Sequence, residues 1–141
     1  MFYAASRLFL MDEERIFTLA EAQSLLPRLR EVLEDLGREW KRISDLNPEI
    51  QKARDNASLN GHSKFGVEYV ESVSHLMAVI HEIKDMGVLL KDADKGLCDF
   101  PYIKDGRMVY LCWHLGEDTI RYWHDVEAGF AGREPLEESD R

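Results

Sequence analysis

The residues with the clearest potential for chemistry lie near the C-terminal end, in the stretch 112–136, which holds two of the three Trp and two of the five His. Within it, His124 and Glu127 stand three residues apart. On a helix this spacing places an imidazole and a carboxylate on one face, where both could bind one metal ion. A metal site needs more than two ligands. The additional ligands could come from Asp99, His114, Glu117 or Asp125. A divalent-metal site of His124, Glu127 and Asp99 thus stands beside the alternative that His124 makes only local hydrogen bonds.

Asp99 is the most unusual carboxylate of the chain, because it stands between Cys98 and Phe100 in an otherwise apolar run. Such a group either lies in water at a sheet edge or pairs with a donor. In the strand register argued below, His114 is diagonal to it on the same face. An Asp–His pair can serve as a general base and its orienting group. Structural pairing is the alternative, since Cys112 carries no sign of activation and no Ser or Thr stands out as a nucleophile.

Five residues form the candidate ligand site of an enzyme hypothesis. Asp99 or Glu117 would act as a base or a ligand, and His124 as an acid–base group or a ligand. Trp113 would form a wall, and Arg133 would bind an anion. The chain contains neither a glycine-rich phosphate loop nor an H-E-x-x-H zinc helix. These residues therefore define a site to test but no reaction and no identified cofactor.

The charge balance argues against a nucleic-acid partner. The chain carries 27 acidic and 18 basic residues and a net charge of −9. Binding to phosphates needs clustered Lys and Arg, whereas the most basic region, 28–42, is interleaved with Glu and Asp. We read that region as a solvated helix face.

The sequence suggests neither a membrane span nor a secretory signal. No apolar run approaches the ~20 residues that cross a bilayer, and the apolar residues at the start are interrupted by Arg7 and lack a basic leader. We therefore expect a cytoplasmic protein, with Met1 and Met11 as alternative natural starts. In that compartment Cys98 and Cys112 should remain free, buried thiols.

Two long helices are predicted from the apolar periodicity. Thr18-Leu19-Ala20-Glu21 forms a capping box, so the first helix begins near Leu19. Apolar residues then recur at steps of three and four, with Pro27 expected to kink or restart the helix and Pro48 to bend or end it. A polar connection at 55–61 leads to a second amphipathic helix that stops at Gly87. Its Glu71–His75 and His81–Asp85 pairs have the spacing of helix-surface pairs.

Three short strands are predicted after Gly87, over 88–91, 97–103 and 107–113. Asp105-Gly106 is a strong signal for a two-residue hairpin turn. It sets a register in which Lys104 lies opposite Arg107, and Asp99 opposite Cys112. One face then carries an apolar set that should cover the helices: Cys98, Phe100, Tyr102, Val109, Leu111 and Trp113.

These elements predict an α+β fold: a long antiparallel helical hairpin of the coiled-coil type, packed on a small three-stranded antiparallel sheet with an irregular C-terminal segment. We expect a single domain over 1–141, with the helical hairpin at 17–87, the sheet and C-terminal motifs at 88–135, and a disordered tail at 136–141. One small sheet cannot cover two wide apolar stripes. The leftover surface predicts a homodimer through the helices.

The chain resembles the domain of unknown function 2203 family of small prokaryotic proteins. The resemblance covers most of the chain and is carried by Phe17-Thr18-Leu19, Leu25-Leu26-Pro27, Lys91-Asp92, Gly96-Leu97, Asp99-Phe100-Pro101, Asp105-Gly106-Arg107, Leu111-Cys112-Trp113, Leu115-Gly116-Glu117, Tyr122-Trp123-His124 and Gly129-Phe130-Ala131-Gly132-Arg133. It implies a small cytoplasmic protein and no established activity.

Two function hypotheses follow from the sequence. The first is a non-catalytic interaction or assembly protein that forms a homodimer through its helical hairpin, because no catalytic set is complete. The second is a small-molecule or metal-dependent enzyme with a site around Asp99, Glu117, His124 and Arg133.

Overall fold

The computed structural model describes residues 14–55 and 64–141, and it has the α+β architecture that the sequence predicts. Two helices are followed by five strands: α1 (Leu19–Asp55), α2 (Lys64–Asp85), β1 (Leu89–Asp92), β2 (Leu97–Lys104), β3 (Arg107–His114), β4 (Tyr122–His124) and β5 (Glu134–Pro135). The choice between Met1 and Met11 lies outside the described residues, and so does most of the connection predicted at 55–61. Neither of the two described helices is long and apolar enough to cross a membrane.

Helix α1 begins as the capping box predicts. The Glu21 N–H donates to Thr18 Oγ1 at 3.1 Å, and the Thr18 N–H donates to Glu21 Oε1 at 3.1 Å. The helix then continues through both Pro27 and Pro48, so neither proline restarts or ends it. Leu26 and Leu29 on either side of Pro27 are buried, and their packing outweighs the one backbone hydrogen bond that Pro27 removes.

The two helices run antiparallel. Polar contacts cross between them in opposite order along the two helices, joining Arg28 to Glu82, Asp35 to His75, and Arg42 to Glu68. As the residue number rises on α1, its partner's number falls on α2, which is the geometry of a helical hairpin.

The sheet has five antiparallel strands in the order β1-β2-β3-β4-β5, so the prediction of three strands was wrong. Strands β4 and β5 are three and two residues long. Such lengths are too short to show an alternating pattern. They occupy the region predicted to be irregular, which also contains a 3-10 turn at Phe130–Gly132.

The predicted register between β2 and β3 is confirmed. Lys104 pairs with Arg107, and every pair follows without a slip up to Leu97 and His114. Pro101 is accommodated because β1 pairs with β2 only as far as Asp99. Beyond that point the Phe17 N–H donates to the Pro101 carbonyl at 2.8 Å. The predicted apolar face packs on the helices, and Phe100, Leu111 and Trp113 are fully buried in the core.

The sheet covers only one half of the helical hairpin. The apolar stripe of α1 is buried up to Leu36, whereas Trp40, the next residue on it, is 52 % exposed. On the described part of α2, the buried apolar side chains lie toward its end, at Leu76, Val79 and Ile83. Among the described residues, Ile43 still packs against the core, and no strand covers the rest of the two helices.

The C-terminal residues predicted to form a disordered tail are docked on the sheet. Leu136 is buried, and its N–H donates to the Arg121 carbonyl at 2.8 Å. The Lys104 ammonium donates to both carboxylate oxygens of Asp140, at 2.8 and 2.9 Å. This contact outweighs the charged composition that suggested disorder.

The Lys104–Asp140 contact makes stability depend on pH. The Lys104 ammonium, helped by the Glu137 N–H, lowers the pKa of the Asp140 carboxyl from its usual 3.8. The folded chain therefore holds this proton less readily than the unfolded chain, so the contribution is complete above the unfolded pKa and is lost on acidification. We predict that the free energy of unfolding, measured by urea titration, falls less steeply between about pH 5 and pH 3 in Asp140→Asn than in wild type.

The matched control is Asp45→Asn, which removes an exposed helix-surface pair with Lys41. It should keep the wild-type slope. A wild-type slope in Asp140→Asn would contradict the docking of the tail.

Candidate functional site

Three adjacent strands bring an acid, a thiol and an imidazole onto the sheet face that points away from the helices. Asp99 of β2 pairs with Cys112 of β3, and Tyr110 of β3 pairs with His124 of β4. Directly paired residues share a face in an antiparallel sheet. Asp99, Cys112 and His124, called here the sheet triad, therefore lie together.

The sheet triad is buried although it lies on the face opposite the helices. Asp99 is 3 % exposed, His124 is 2 % exposed and Cys112 is fully buried. One ligand-capable atom from each residue lies within 4.8 Å of the corresponding atoms of the other two. The sheet face that points away from the helices is therefore also packed, and it encloses these polar side chains.

His124 and Asp99 meet in a buried polar contact. His124 Nδ1 lies 2.7 Å from the Asp125 carbonyl oxygen, which can only accept, so Nδ1 carries a hydrogen. His124 Nε2 then faces Asp99 Oδ2 at 3.0 Å. A neutral imidazole would present a lone pair there to a carboxylate that also only accepts. A hydrogen or a cation must therefore lie between the two atoms.

The two cysteines are free, and burial keeps both protonated. Burial, and next the charge of Asp99, raises the pKa of the Cys112 thiol to about 12. Burial also raises the pKa of Cys98 to about 12, on the opposite face of the sheet. In this environment neither thiol is a nucleophile.

A second charged group closes the end of the same face. Arg133 Nη2 donates to both carboxylate oxygens of Glu117, at 2.6 and 2.8 Å, and to the Cys112 carbonyl at 3.2 Å. Its guanidinium also stacks on Tyr122 and Phe130. Arg133 therefore ties the segment after β4 to strand β3.

The structure places the predicted site residues in two contacting pairs. Asp99 meets His124, and Glu117 meets Arg133, whose bond to the Cys112 carbonyl connects the second pair to the sheet triad. Trp113 lies on the opposite, helix-facing side, and its Nε1–H donates to the Glu117 carbonyl at 2.9 Å.

Glu127 does not share a helical face with His124. His124 is the last residue of strand β4, and Glu127 is exposed in the turn that follows. Asp99 pairs with His124 rather than with His114, which bonds to the Leu115 carbonyl instead. His114 was predicted as the partner because the three-residue strand β4, which brings His124 to Asp99, carries no sequence pattern. The donor Cys112 was not among the predicted ligands, although the predicted register already placed it opposite Asp99.

A second polar group lies between the helices and begins at the boundary of the part that the sheet covers. His75 Nε2 is 3.0 Å from Asp35, and Nδ1 is 3.4 Å from Glu39, which is buried. A cavity of about 180 Å³ is lined there by Glu39, Arg42, Glu68, Glu71, Ser72 and His75. His75 thus bridges the helices rather than pairing with Glu71, whereas His81 and Asp85 form the predicted surface pair at 3.4 Å.

The Glu117–Arg133 pair should be far more important for stability than a comparable surface pair. Its side chains are 16 % and 13 % exposed, so removing one charge leaves the other largely shielded from water. We predict that Glu117→Gln lowers the free energy of unfolding by roughly 2–4 kcal/mol, measured by urea denaturation.

The matched control is Asp125→Asn. It breaks an Arg107–Asp125 pair of similar length, 2.7 Å, whose side chains are 49 % or more exposed. Its cost should stay below about 1 kcal/mol. Equal losses in the two variants would show that the Glu117–Arg133 pair is not shielded.

The comparisons with known proteins extend the resemblance seen in the sequence. A search of the curated proteins and a search of the solved structures each gave no match. The model of a family described as an uncharacterized conserved protein (DUF2203) matches residues 15–136, which include both helices, the whole sheet and every residue of the two site pairs. The chain therefore belongs to the family of uncharacterized conserved proteins known as domain of unknown function 2203.

Proposed function

We propose that this protein is a non-catalytic assembly protein whose helix α2 pairs with α2 of a second copy to form a homodimer. One observation carries the proposal: α2 presents an outward apolar row of Val67, Val70, Met77 and Ile80 in and beside the half of the hairpin that the sheet leaves uncovered. The first three are 65, 63 and 59 % exposed. Large apolar side chains in such a row favour a protein partner over water.

The spacing of the row fits another helix better than a small ligand. Val67, Val70 and Met77 take positions a, d and d of a heptad pattern. Ser74 holds the a position between them, and Ile80 flanks the seam at a g position. The row is symmetric about residues 73 and 74. In an antiparallel two-fold pair, Val70 of one copy would therefore pack against Met77 of the other, and Val67 against Ile80.

The charges near the row are compatible with a second copy. His81 pairs with Asp85, while Glu82 and Glu68 pair with arginines of α1. Because these charges are matched within one chain, two copies can approach without strong repulsion. The same pairing disfavours a nucleic-acid partner, which needs unpaired basic groups.

The enzyme hypothesis has weaker support. The Asp99–His124 contact has the form of a base and its orienting group. Both side chains are almost completely shielded from solvent, however, and Glu117 and Arg133 neutralise each other. A substrate would first have to displace these contacts.

We retain the expectation of a single cytoplasmic domain. The core shared by the helices and the sheet supports a single domain, and the two free thiols support a cytoplasmic location.

Light scattering after size-exclusion chromatography tests the assembly proposal. Wild type should have a molar mass near twice 16.4 kDa at micromolar concentration. Val70→Lys/Met77→Lys should be a monomer, since it places four ammonium groups in the seam. Val126→Lys, which alters an exposed valine in the turn after β4, is the matched control and should remain a dimer.

A charge swap tests the antiparallel geometry. Val70→Lys/Met77→Glu should recover the dimer, because lysine of one copy then meets glutamate of the other. A wild-type monomer at about 100 μM, or dissociation by Val126→Lys alone, would contradict the proposal.

A further inference from the structure

We propose that the sheet triad of Asp99, Cys112 and His124 binds one divalent transition-metal ion, with zinc as the best match. The inference concerns the sheet and is independent of the assembly proposed for α2. The proposed site differs from the metal site predicted from the sequence, because Cys112 replaces Glu127 as a ligand.

The donor set is one that zinc uses. Zinc is bound in proteins by cysteine sulfur, histidine nitrogen and carboxylate oxygen, with bonds of about 2.0–2.3 Å. Tetrahedral bonds of that length separate the donor atoms by roughly 3.3–3.7 Å. The three donor atoms here already lie within 4.8 Å of one another, and His124 Nε2 is 3.0 Å from Asp99 Oδ2. An ion would need only small side-chain shifts.

The imidazole of His124 is oriented as in a metal ligand. Its Nδ1–H donates to the Asp125 carbonyl, so Nε2 and its lone pair point toward Asp99. A hydrogen bond from the second ring nitrogen to a carbonyl is the usual device that fixes a metal-binding histidine. The backbone of the turn after β4 therefore supports the ligand geometry before an ion arrives.

Asp99 supplies the second, independent observation. Asp99 is 3 % exposed, yet its Oδ1 accepts no hydrogen bond within the described part of the chain. The Cys112 thiol interacts with the same carboxylate without satisfying that oxygen. A buried carboxylate oxygen without a partner is costly. Binding of a cation would satisfy it.

The charges also balance. Binding would release the Cys112 thiol proton and the hydrogen between His124 and Asp99 to solvent. The carboxylate, the thiolate and the neutral imidazole then carry two negative charges, which a divalent ion cancels. A neutral site is the form best suited to a buried location. The three protein donors leave one coordination position of a tetrahedral ion for a further ligand.

Cobalt(II) titration of the chelator-stripped full chain tests the site, because a cobalt–thiolate bond gives a near-ultraviolet charge-transfer band that other ligands lack. Wild type should bind one cobalt ion per chain and show this band. Added zinc should displace the cobalt and remove the band. Cys112→Ser should abolish the band and weaken zinc binding by at least tenfold, and His124→Gln should weaken it similarly.

Two control variants change the same residue types outside the proposed site. Cys98→Ser alters an equally buried thiol on the opposite face, and His114→Gln alters a histidine on the same face; both should bind like wild type. Since the chain has two cysteines, a band in Cys98→Ser must come from Cys112 even if Cys112→Ser fails to fold. No uptake by stripped wild type, uptake without the thiolate band, or loss of the band in Cys98→Ser would overturn the proposal.

Discussion

The pairing of β2 with β3 determines the character of both faces of the sheet. The Asp105-Gly106 turn joins Lys104 to Arg107, and every later pair follows from that one. In this register Phe100, Leu111 and Trp113 pack on the helices. A shift of one residue would exchange the faces and turn Asp99 toward the apolar core. The cost of burying that carboxylate against leucines reinforces the register that the turn selects.

The same register creates a problem on the second face, which is also buried. Charged groups can be buried only when they neutralise or hydrogen-bond one another. Asp99 faces His124, and Glu117 faces Arg133, whose guanidinium also bonds to the Cys112 carbonyl. These contacts tie strand β4, and the segment that leads into β5, to strands β2 and β3.

Much of this fold could be predicted from particular residues. The Thr18–Glu21 capping box located the start of α1, and the turn at Asp105-Gly106 gave the register and hence the core face. Strands β4 and β5 could not be predicted, because three or two residues carry no periodicity and are held by tertiary contacts. Without β4, Asp99 lacked its true partner, and His124 was assigned a helical neighbour that a strand does not provide. Asp99, Glu117, His124 and Arg133 were nevertheless chosen as candidates from residue type, and the structure joins them in two contacting pairs. Trp113, the fifth candidate, lies on the opposite face.

The uncovered half of the hairpin links the fold to the proposed assembly. A sheet of this size ends near Leu36, while α1 continues for nineteen residues to Asp55, and α2 leaves its apolar row facing solvent. The most direct test of antiparallel pairing through that row is mixed disulfide formation between a Val70→Cys chain and a Met77→Cys chain. The buried native thiols should not compete. The account predicts that an equimolar mixture forms a covalent dimer faster than either chain alone. No cross-linking, or equally fast cross-linking of each chain with itself, would contradict it.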